Sequence, residues 1–268
     1  MLGAVFGDIV GSTYEWKNVK TKDFPLQRSG TRYTDDSVMT LAVAKWLLED
    51  ASHTETHLIK CMQTLGKNDL GAGYGERFRE WLLTKDPQPY NSWGNGAAMR
   101  VSPVALYASN LEEALELAKT TANVTHNHPE GVKGALAVAE CVFIRREATD
   151  IDAAKNEIRH TIPLKYGYDL SRILDEIRST YSFDVSCQGS VPEAIIAFLE
   201  STSLEDCVRN AISIGGDSDT IAAIACSIYA AKTTSEDEEL MKRFEYYLPQ
   251  DLMQIMEEFE KRVGQNDK

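Results

Sequence analysis

Two adjacent aspartates follow a threonine in the segment YTDDSVMT, residues 33–40. Apolar residues recur with helical spacing directly after them, so Thr34, Asp35 and Asp36 lie where a helix is predicted to begin. Such residues commonly cap free backbone N–H groups, and for this motif alone capping is the commoner explanation. The same oxygens could instead bind a hard cation such as Mg²⁺ or Mn²⁺, since neighbouring carboxylates repel each other unless a cation lies between them.

A second predicted helix start, nearer the carboxyl terminus, carries the same kinds of side chain. The segment ISIGGDSDTIAAIACSIYAA, residues 212–231, places Asp217, Asp219 and Thr220 between a Gly-Gly turn and a helix of small residues. This spacing can direct both carboxylates and the hydroxyl to one point above the helix start. If the two helix starts meet, they supply four carboxylates and two hydroxyls, which suffice for a centre of two Mg²⁺ or Mn²⁺ ions.

The segment GAVFGDIVGSTYEW, residues 3–16, ends with a further carboxylate. Gly3, Gly7 and Gly11 recur every four residues, so a helix here presents one face of small residues for close contact with another helix. Glu15 follows this face. A solvated loop position is the commonest situation for a glutamate, and the functional alternative is an acid–base group beside the metal ions.

The segment NSWGNGAAMRVSPVAL, residues 91–106, contains a glycine-rich stretch before a predicted helix. Backbone N–H groups at such a place can cradle a diphosphate, although a plain turn is the simpler explanation. The residues concerned are Gly94, Asn95, Gly96, Ala97 and Ala98. Trp93 could stack on a base, but an isolated tryptophan more often contributes to packing.

Two histidines, His126 and His128, lie in the segment THNHPEG just before a predicted helix. A zinc ligand pair is conceivable, but no companion cluster of cysteine and histidine accompanies them. An ordinary turn and helix cap is the simpler interpretation.

Helices must position these groups, because helical periodicity dominates the chain and strand patterns are scarce. We predict an all-α fold in a single compact domain over residues 1–268. Predicted helices span residues 3–14, 35–50, 55–66, 71–84, 96–108, 111–122, 129–146, 150–161, 168–179, 192–200, 204–213, 219–232, 236–247 and 249–263. The segments VSPVALYA and FDVSC fit either helix or strand. Long loops are predicted at residues 14–34 and 85–96, where function is often found, and the tail GQNDK is expected to fray.

The composition excludes several classes of protein. The net charge of −13 argues against an extended nucleic-acid or anionic-membrane surface. No run of 18 apolar residues predicts a membrane span, and the first residues lack the basic segment of a signal peptide. Five cysteines without a CxxC pair fit free thiols in a reducing compartment. We therefore expect a cytoplasmic protein, and a monomer.

Taken together, five segments resemble the ADP-ribosylglycohydrolase family, which includes dinitrogenase-reductase-activating glycohydrolases, ADP-ribosyl-acceptor hydrolases and jellyfish J1 crystallins. The matching segments are, in chain order, GDIVGSTYEW, YTDDSVMT, GNGAAMRVSPVAL, THNHP and GGDSDT. They extend over residues 3–232. The TDD and GGDSDT elements are weak signals singly and a specific signal together.

The resemblance implies an all-α enzyme with two Mg²⁺ or Mn²⁺ ions that cleaves the glycosidic (or ester) bond between ADP-ribose and an acceptor. The acceptor would be a protein or a small molecule. The implied metal ligands are Thr34, Asp35, Asp36, Asp217, Asp219 and Thr220. Glu15 would reach the metal or the reacting ribose, residues 94–98 would contact the phosphates, and His126 would face the substrate.

Glycosidic cleavage passes through an oxocarbenium-like state. We hypothesise that a metal-aligned water attacks the anomeric carbon of the distal ribose, with Glu15 or an aspartate such as Asp35 or Asp219 as the base. A rival enzyme class is the haloacid-dehalogenase-like phosphatases, whose DxDx motif Asp217–Ile221 loosely fits. Their nucleophile opens a parallel α/β domain, whereas helical patterns follow here. A rival of another class is a non-catalytic ADP-ribose-binding or structural protein on the same fold.

Overall fold

The computed structural model describes residues 1–264, so the fraying expected of the tail concerns residues that, except for Gly264, lie outside the described part. Within residues 1–264 the chain forms fifteen α-helices and a 3₁₀ turn at Glu245–Tyr247, and no named strand. The helices are α1 Leu2–Gly11, α2 Asp35–Glu49, α3 Glu55–Asn68, α4 Glu76–Leu83, α5 Gly96–Met99, α6 Ser102–Tyr107, α7 Leu111–Asn123, α8 Pro129–Glu147, α9 Ile151–Tyr166, α10 Leu174–Thr180, α11 Cys187–Leu199, α12 Leu204–Ser213, α13 Ser218–Tyr229, α14 Ser235–Lys242 and α15 Gln250–Val263. The predicted α-helical class is confirmed.

Helices α1 and α13 form the centre of the molecule. A Cβ atom added to Gly3 or Gly7 would lie 2.2 Å from the carbonyl oxygen of Cys226 or Ala222, and one added to Gly11 would lie 2.5 Å from the Cα of Asp219. These distances are too short for any side chain, so the backbones of the two helices touch. The small face predicted on the first helix is therefore the contact with α13, and it brings the end of α1 against the start of α13.

Some predicted boundaries are wrong. The helices predicted over 71–84 and 168–179 begin only at Glu76 and Leu174, the helix predicted over 236–247 ends at Lys242, and the helix predicted over 150–161 continues to Tyr166. The helix predicted over 96–108 divides into α5 and α6, since Pro103 lacks the N–H that would bond to Met99 and lies instead in the first turn of α6. The helix predicted from Pro192 begins five residues earlier, where the Ser186 hydroxyl accepts the N–H of Gly189 at 3.1 Å. FDVSC forms no strand, and one isolated bridge joins Gly94 to Ser186.

The two predicted long loops are present on either side of α2 to α4, and both reach the same cleft. The first joins α1 to α2 and the second joins α4 to α5. Residues of both loops line this cleft, among them Glu15, Arg32, Tyr90 and Asn95. Among the described residues, no helix is both long and apolar enough to cross a membrane.

Candidate metal centre and active site

The start of α2 rests on a buried carboxylate, that of Asp8 in α1. The backbone N–H groups of Thr34 and Ser37 donate to Asp8 Oδ2 at 2.9 and 3.0 Å. The Thr34 hydroxyl donates to Asp8 Oδ1 at 2.7 Å, and the Ser37 hydroxyl also donates to this carboxylate. Asp8 is fully buried. It therefore satisfies two of the backbone N–H groups at this helix start and fixes where the first turn lies.

Capping explains part of the threonine-aspartate motif. Thr34 Oγ1 accepts the backbone N–H of Asp36 at 3.3 Å, a long hydrogen bond. The carboxylate of Asp36 is not used as a cap: its Oδ2 accepts the Thr220 hydroxyl at 3.1 Å, and its buried Oδ1 has no hydrogen-bond partner among the described residues. A buried carboxylate oxygen without a donor is costly, unless a cation binds it.

The start of α13 is fixed by the conformation of its own backbone and by two residues of the loop between α1 and α2. Gly215 and Gly216 both have positive φ, +77° and +74°, which favours glycine. The Asn18 side chain bridges Gly216, donating to its carbonyl oxygen at 3.0 Å and accepting its N–H at 2.9 Å. Lys20 donates to the carbonyl oxygen of Ile214. This turn aims the next residue, Asp217, into the cleft, and no side chain caps the helix.

The structure brings the two helix starts and Glu15 together. One carboxylate oxygen from each of Glu15, Asp217 and Asp219 lies within 4.8 Å of the others. Asp36 joins this group through its hydrogen bond with Thr220. All the predicted metal ligands line a single cleft of about 500 Å³, namely Thr34, Asp35, Asp36, Asp217, Asp219 and Thr220.

Burial and mutual repulsion disfavour the ionised form of these carboxyl groups. Burial, followed by the charge of Asp219, raises the pKa of Glu15 to about 7. Burial raises the pKa of Asp217 to about 6. It also raises the pKa of Asp35, Asp36 and Asp219 well above the ordinary value, and neighbouring carboxylates add to each shift. Bound divalent cations would reverse this balance, and the all-oxygen donor set with the partnerless Asp36 Oδ1 fits hard cations.

Three arginines, called here the basic wall, line the cleft that holds the acidic residues. Arg100 is buried and donates to the carbonyl oxygen of Thr121 at 2.8 Å and to the Thr125 hydroxyl at 2.7 Å. Its Nε has no partner among the described residues. Arg32 and Arg77 line the same cleft. A buried guanidinium that lacks a carboxylate partner suits an anionic ligand.

His126 lies beside this wall. Its Nδ1 is 2.6 Å from the Thr125 hydroxyl, and burial, with the nearby charge of Arg100, holds the pKa of the imidazole well below its usual range. A Cβ atom added to Gly96 would lie 3.2 Å from His126 Nε2. The glycine therefore leaves room beside a neutral histidine that lines the cleft.

The predicted phosphate loop divides into residues that reach the cleft and residues that do not. Gly94, Asn95 and Gly96 line it. The Asn95 amide donates to Asp217 Oδ2 at 2.7 Å, so it orients a candidate metal ligand. Ala97 and Ala98 are fully buried in the core, and Trp93 is half exposed, 5.7 Å from the His128 ring. Those three are absent from the cleft lining.

Several lining or anchoring residues were missed in the sequence. Asp8 gives a signal, since a carboxylate in the apolar run LGAVFGDIVG requires buried partners. Arg100 gives a similar signal within AAMRV. Trp16 and Phe183 stack at the mouth of the cleft with ring centroids 5.4 Å apart, and no sequence pattern connects them.

Known proteins are similar to this chain in sequence and in fold. A profile described as ADP-ribosylglycohydrolase matches residues 1–266. Human ADP-ribosylhydrolase ARH3 is 27% identical over 302 residues, covering 86% of this chain and 83% of the human protein. The ADP-ribosyl-[dinitrogen reductase] glycohydrolase of Rhodospirillum rubrum is 23% identical over 255 residues, covering 88% and 85%. A solved structure titled ADP-ribosylglycohydrolase-related protein complex has a TM-score of 0.70 at 20% identity, covering 98% of this chain and 97% of its own.

Proposed function

The chain belongs to the ADP-ribosylglycohydrolase family, and we propose that it is a metal-dependent hydrolase that cleaves the bond between ADP-ribose and an acceptor. The observation that carries the proposal is the convergence of Glu15, Asp36 and Asp219 with two further aspartates in one cleft, which buried Arg100 also lines. The clustered carboxylates suit divalent cations, and the arginines of the basic wall suit a diphosphate.

The proposed metal ligands are the two helix starts. Asp35, Asp36 and Thr34 would supply oxygens from α2, and Asp217, Asp219 and Thr220 would supply them from α13. Two Mg²⁺ or Mn²⁺ ions held there would orient ribose hydroxyls and stabilise negative charge in the reaction. Asn95 and Asp8 act as positioning residues, because they hold the carboxylate of Asp217 and the first turn of α2.

Glu15 is the proposed acid–base group. It is half-buried at the cleft, and one of its carboxylate oxygens lies within 4.8 Å of an oxygen of Asp217 and of Asp219, so it borders the proposed metal ligands and can reach a water beside them. Glu15 would take a proton from the attacking water as the water oxygen bonds to the anomeric carbon and the bond from that carbon to the acceptor breaks. Glu15 would then give this proton to the departing acceptor, which regenerates the carboxylate and leaves free ADP-ribose.

The basic wall is proposed to bind the diphosphate. Arg32, Arg77 and Arg100 line the cleft, and Gly94 and Gly96 border the same space without side chains that would fill it. Neutral His126 can hydrogen-bond to a ribose hydroxyl without adding positive charge. Trp16 and Phe183 at the mouth would contact the acceptor, which extends away from the ribose.

Release of ADP-ribose from a matched panel tests the proposal. Arginine-linked, serine-linked, nucleotide-linked and acetyl-linked conjugates are each incubated with Mg²⁺ and with EDTA. We expect Mg²⁺-dependent release from at least one linkage. We also expect Glu15→Gln to lower kcat by roughly 10²- to 10⁴-fold, with Asp23→Asn as an exposed control. Binding of ADP-ribose without release from any conjugate would favour the non-catalytic alternative.

A further inference from the structure

A cluster of mixed ligand types lies at the far end of α2 from the cleft. Glu49 ends α2, and His57 and Cys61 lie one turn apart on α3. His57 Nε2 is 3.2 Å from Glu49 Oε2, and Cys61 Sγ is 3.9 Å from the same oxygen. One ligand atom from each side chain lies within 4.8 Å of the other two. Since α2 has 15 residues, about 20 Å of helix separates this cluster from Asp35.

Hydrogen bonds fix the turn that joins the two helices and so fix the backbone that carries the cluster. Asp50 Oδ2 accepts the Thr54 N–H at 2.7 Å and its hydroxyl at 2.6 Å. Thr54 in turn caps α3, because its hydroxyl accepts the N–H of His57 at 3.3 Å. Lys45 binds Glu49 Oε1, which leaves Oε2 facing the histidine and the cysteine.

We propose that Glu49, His57 and Cys61 bind a borderline divalent metal ion of the Zn²⁺ type. In a tetrahedral zinc site, bond lengths of 2.0–2.3 Å put neighbouring ligand atoms roughly 3.3–3.6 Å apart, so the observed separations need only small side-chain shifts. A thiolate and an imidazole favour zinc-like ions over Mg²⁺. The Glu49 and His57 side chains are 44% and 29% exposed, so water can take a fourth position.

Binding requires one proton to leave. Burial, together with the charge of Glu49, raises the pKa of the Cys61 thiol to about 12, so the sulfur is protonated at neutral pH without a metal. When the ion binds, the S–H bond breaks, the sulfur–metal bond forms and the proton passes to solvent. The ion would then link the end of α2 to the first turns of α3, which stabilises the folded state by mass action.

Titration of the full chain with Co²⁺, in saturating Mg²⁺, tests this site. We expect a near-ultraviolet thiolate-to-Co²⁺ charge-transfer band that saturates at one ion per chain and that Zn²⁺ displaces. Oxygen ligands alone give no such band, so any Co²⁺ in the acidic cleft is silent. Cys61→Ala should abolish the band, and His57→Ala should weaken Co²⁺ binding by at least about tenfold.

Cys141→Ala is the matched control, since Cys141 is a buried thiol on another helix, α8. It should leave both the band and the affinity unchanged. Zn²⁺ should also raise the Tm of the wild-type chain and of Cys141→Ala in Mg²⁺ buffer, with no rise in Cys61→Ala. The absence of a band at a large excess of Co²⁺, or a band that persists in Cys61→Ala, would overturn the proposal.

Discussion

The starts of α2 and α13 carry similar residues and are held in place by different means. At α2, the buried carboxylate of Asp8 accepts two backbone N–H groups and two hydroxyls. At α13, no side chain caps the helix, and two glycines with positive φ set the direction of the chain. One start therefore depends on a buried polar anchor, and the other depends on backbone conformation.

The difference shows that a cap and a ligand are not exclusive alternatives. The Thr34 hydroxyl caps α2, so the helix does not need the carboxylates of Asp35 and Asp36 as caps. At α13 the turn and the contact with α1 replace a cap, so Asp217 and Asp219 are free for the cleft. Both helix starts therefore direct carboxylates into the same cleft. Substitutions at each start can test the two arrangements separately.

The largest effect is expected when a proposed metal-binding carboxylate is removed from either helix start. Asp36→Asn and Asp219→Asn should each lower Mg²⁺-dependent ADP-ribose release by about a thousandfold or more, since bound cations supply several kcal/mol of charge stabilisation. Initial rates at saturating conjugate measure this loss. Asp23→Asn, in the exposed part of the first loop, should keep wild-type activity. Full activity in one of these two variants would remove that helix start from the proposed metal site.

A smaller effect should be confined to the start of α2. Asp8→Ala leaves the N–H groups of Thr34 and Ser37 without their acceptor, which should lower the free energy of unfolding by about 2–4 kcal/mol. Urea denaturation monitored by circular dichroism measures this. Asp8→Asn keeps one acceptor oxygen, so its loss should be smaller. Equal midpoints for wild type and Asp8→Ala would show that the buried anchor is dispensable.

A still smaller effect should be confined to the start of α13. Gly216→Ala must place a side chain at φ +74°, which costs about 1–2 kcal/mol, and its Cβ would lie 2.5 Å from the Tyr181 ring. Gly167→Ala is the matched control, with φ +72° and no atom near the added Cβ. Thermal unfolding should show a larger fall in Tm for Gly216→Ala. Equal falls would mean that the Tyr181 ring moves freely aside.

A further expected effect, measured across pH rather than between variants, is a dependence of stability on pH in the metal-free chain. The folded-state pKa of Glu15, about 7, and that of Asp217, about 6, lie above the ordinary values. The folded state therefore holds these protons more tightly than the unfolded state. The resulting stability is fully present below about pH 4 and is lost as the pH rises through about 6–7.

Denaturation in EDTA at several pH values measures this change. Glu15→Gln should flatten the decline between about pH 5 and pH 7, because the amide does not titrate. Added Mg²⁺ should stabilise the chain most at the upper end of the range, where the carboxylates are ionised. A decline of the same size in Glu15→Gln would mean that Glu15 does not contribute to it.

The sequence predicted the type of element well and the ends of elements less well. Periodicity identified the helical class, and the glycines of α1 identified a face for close packing. Two of the errors involve proline: the helix predicted over 192–200 begins at Cys187, after the Ser186 cap, and Pro103 divides the helix predicted over 96–108. A capping hydroxyl upstream of a proline competes with it as a start signal, and one sequence does not decide between them.

What the sequence by itself determined about this protein is local: two helix starts with more oxygens than caps require, a glutamate after a face of glycines, and motifs that resemble its family. Only the tertiary structure decided which distant groups meet. It placed Asn95 against Asp217 and Asp8 beneath Thr34, and it left Trp93 outside the cleft. Local propensity follows from neighbouring residues along the chain. Contacts between distant segments depend on packing, which joins Asp8 to Thr34, 26 positions apart, and Asp36 to Thr220, 184 positions apart.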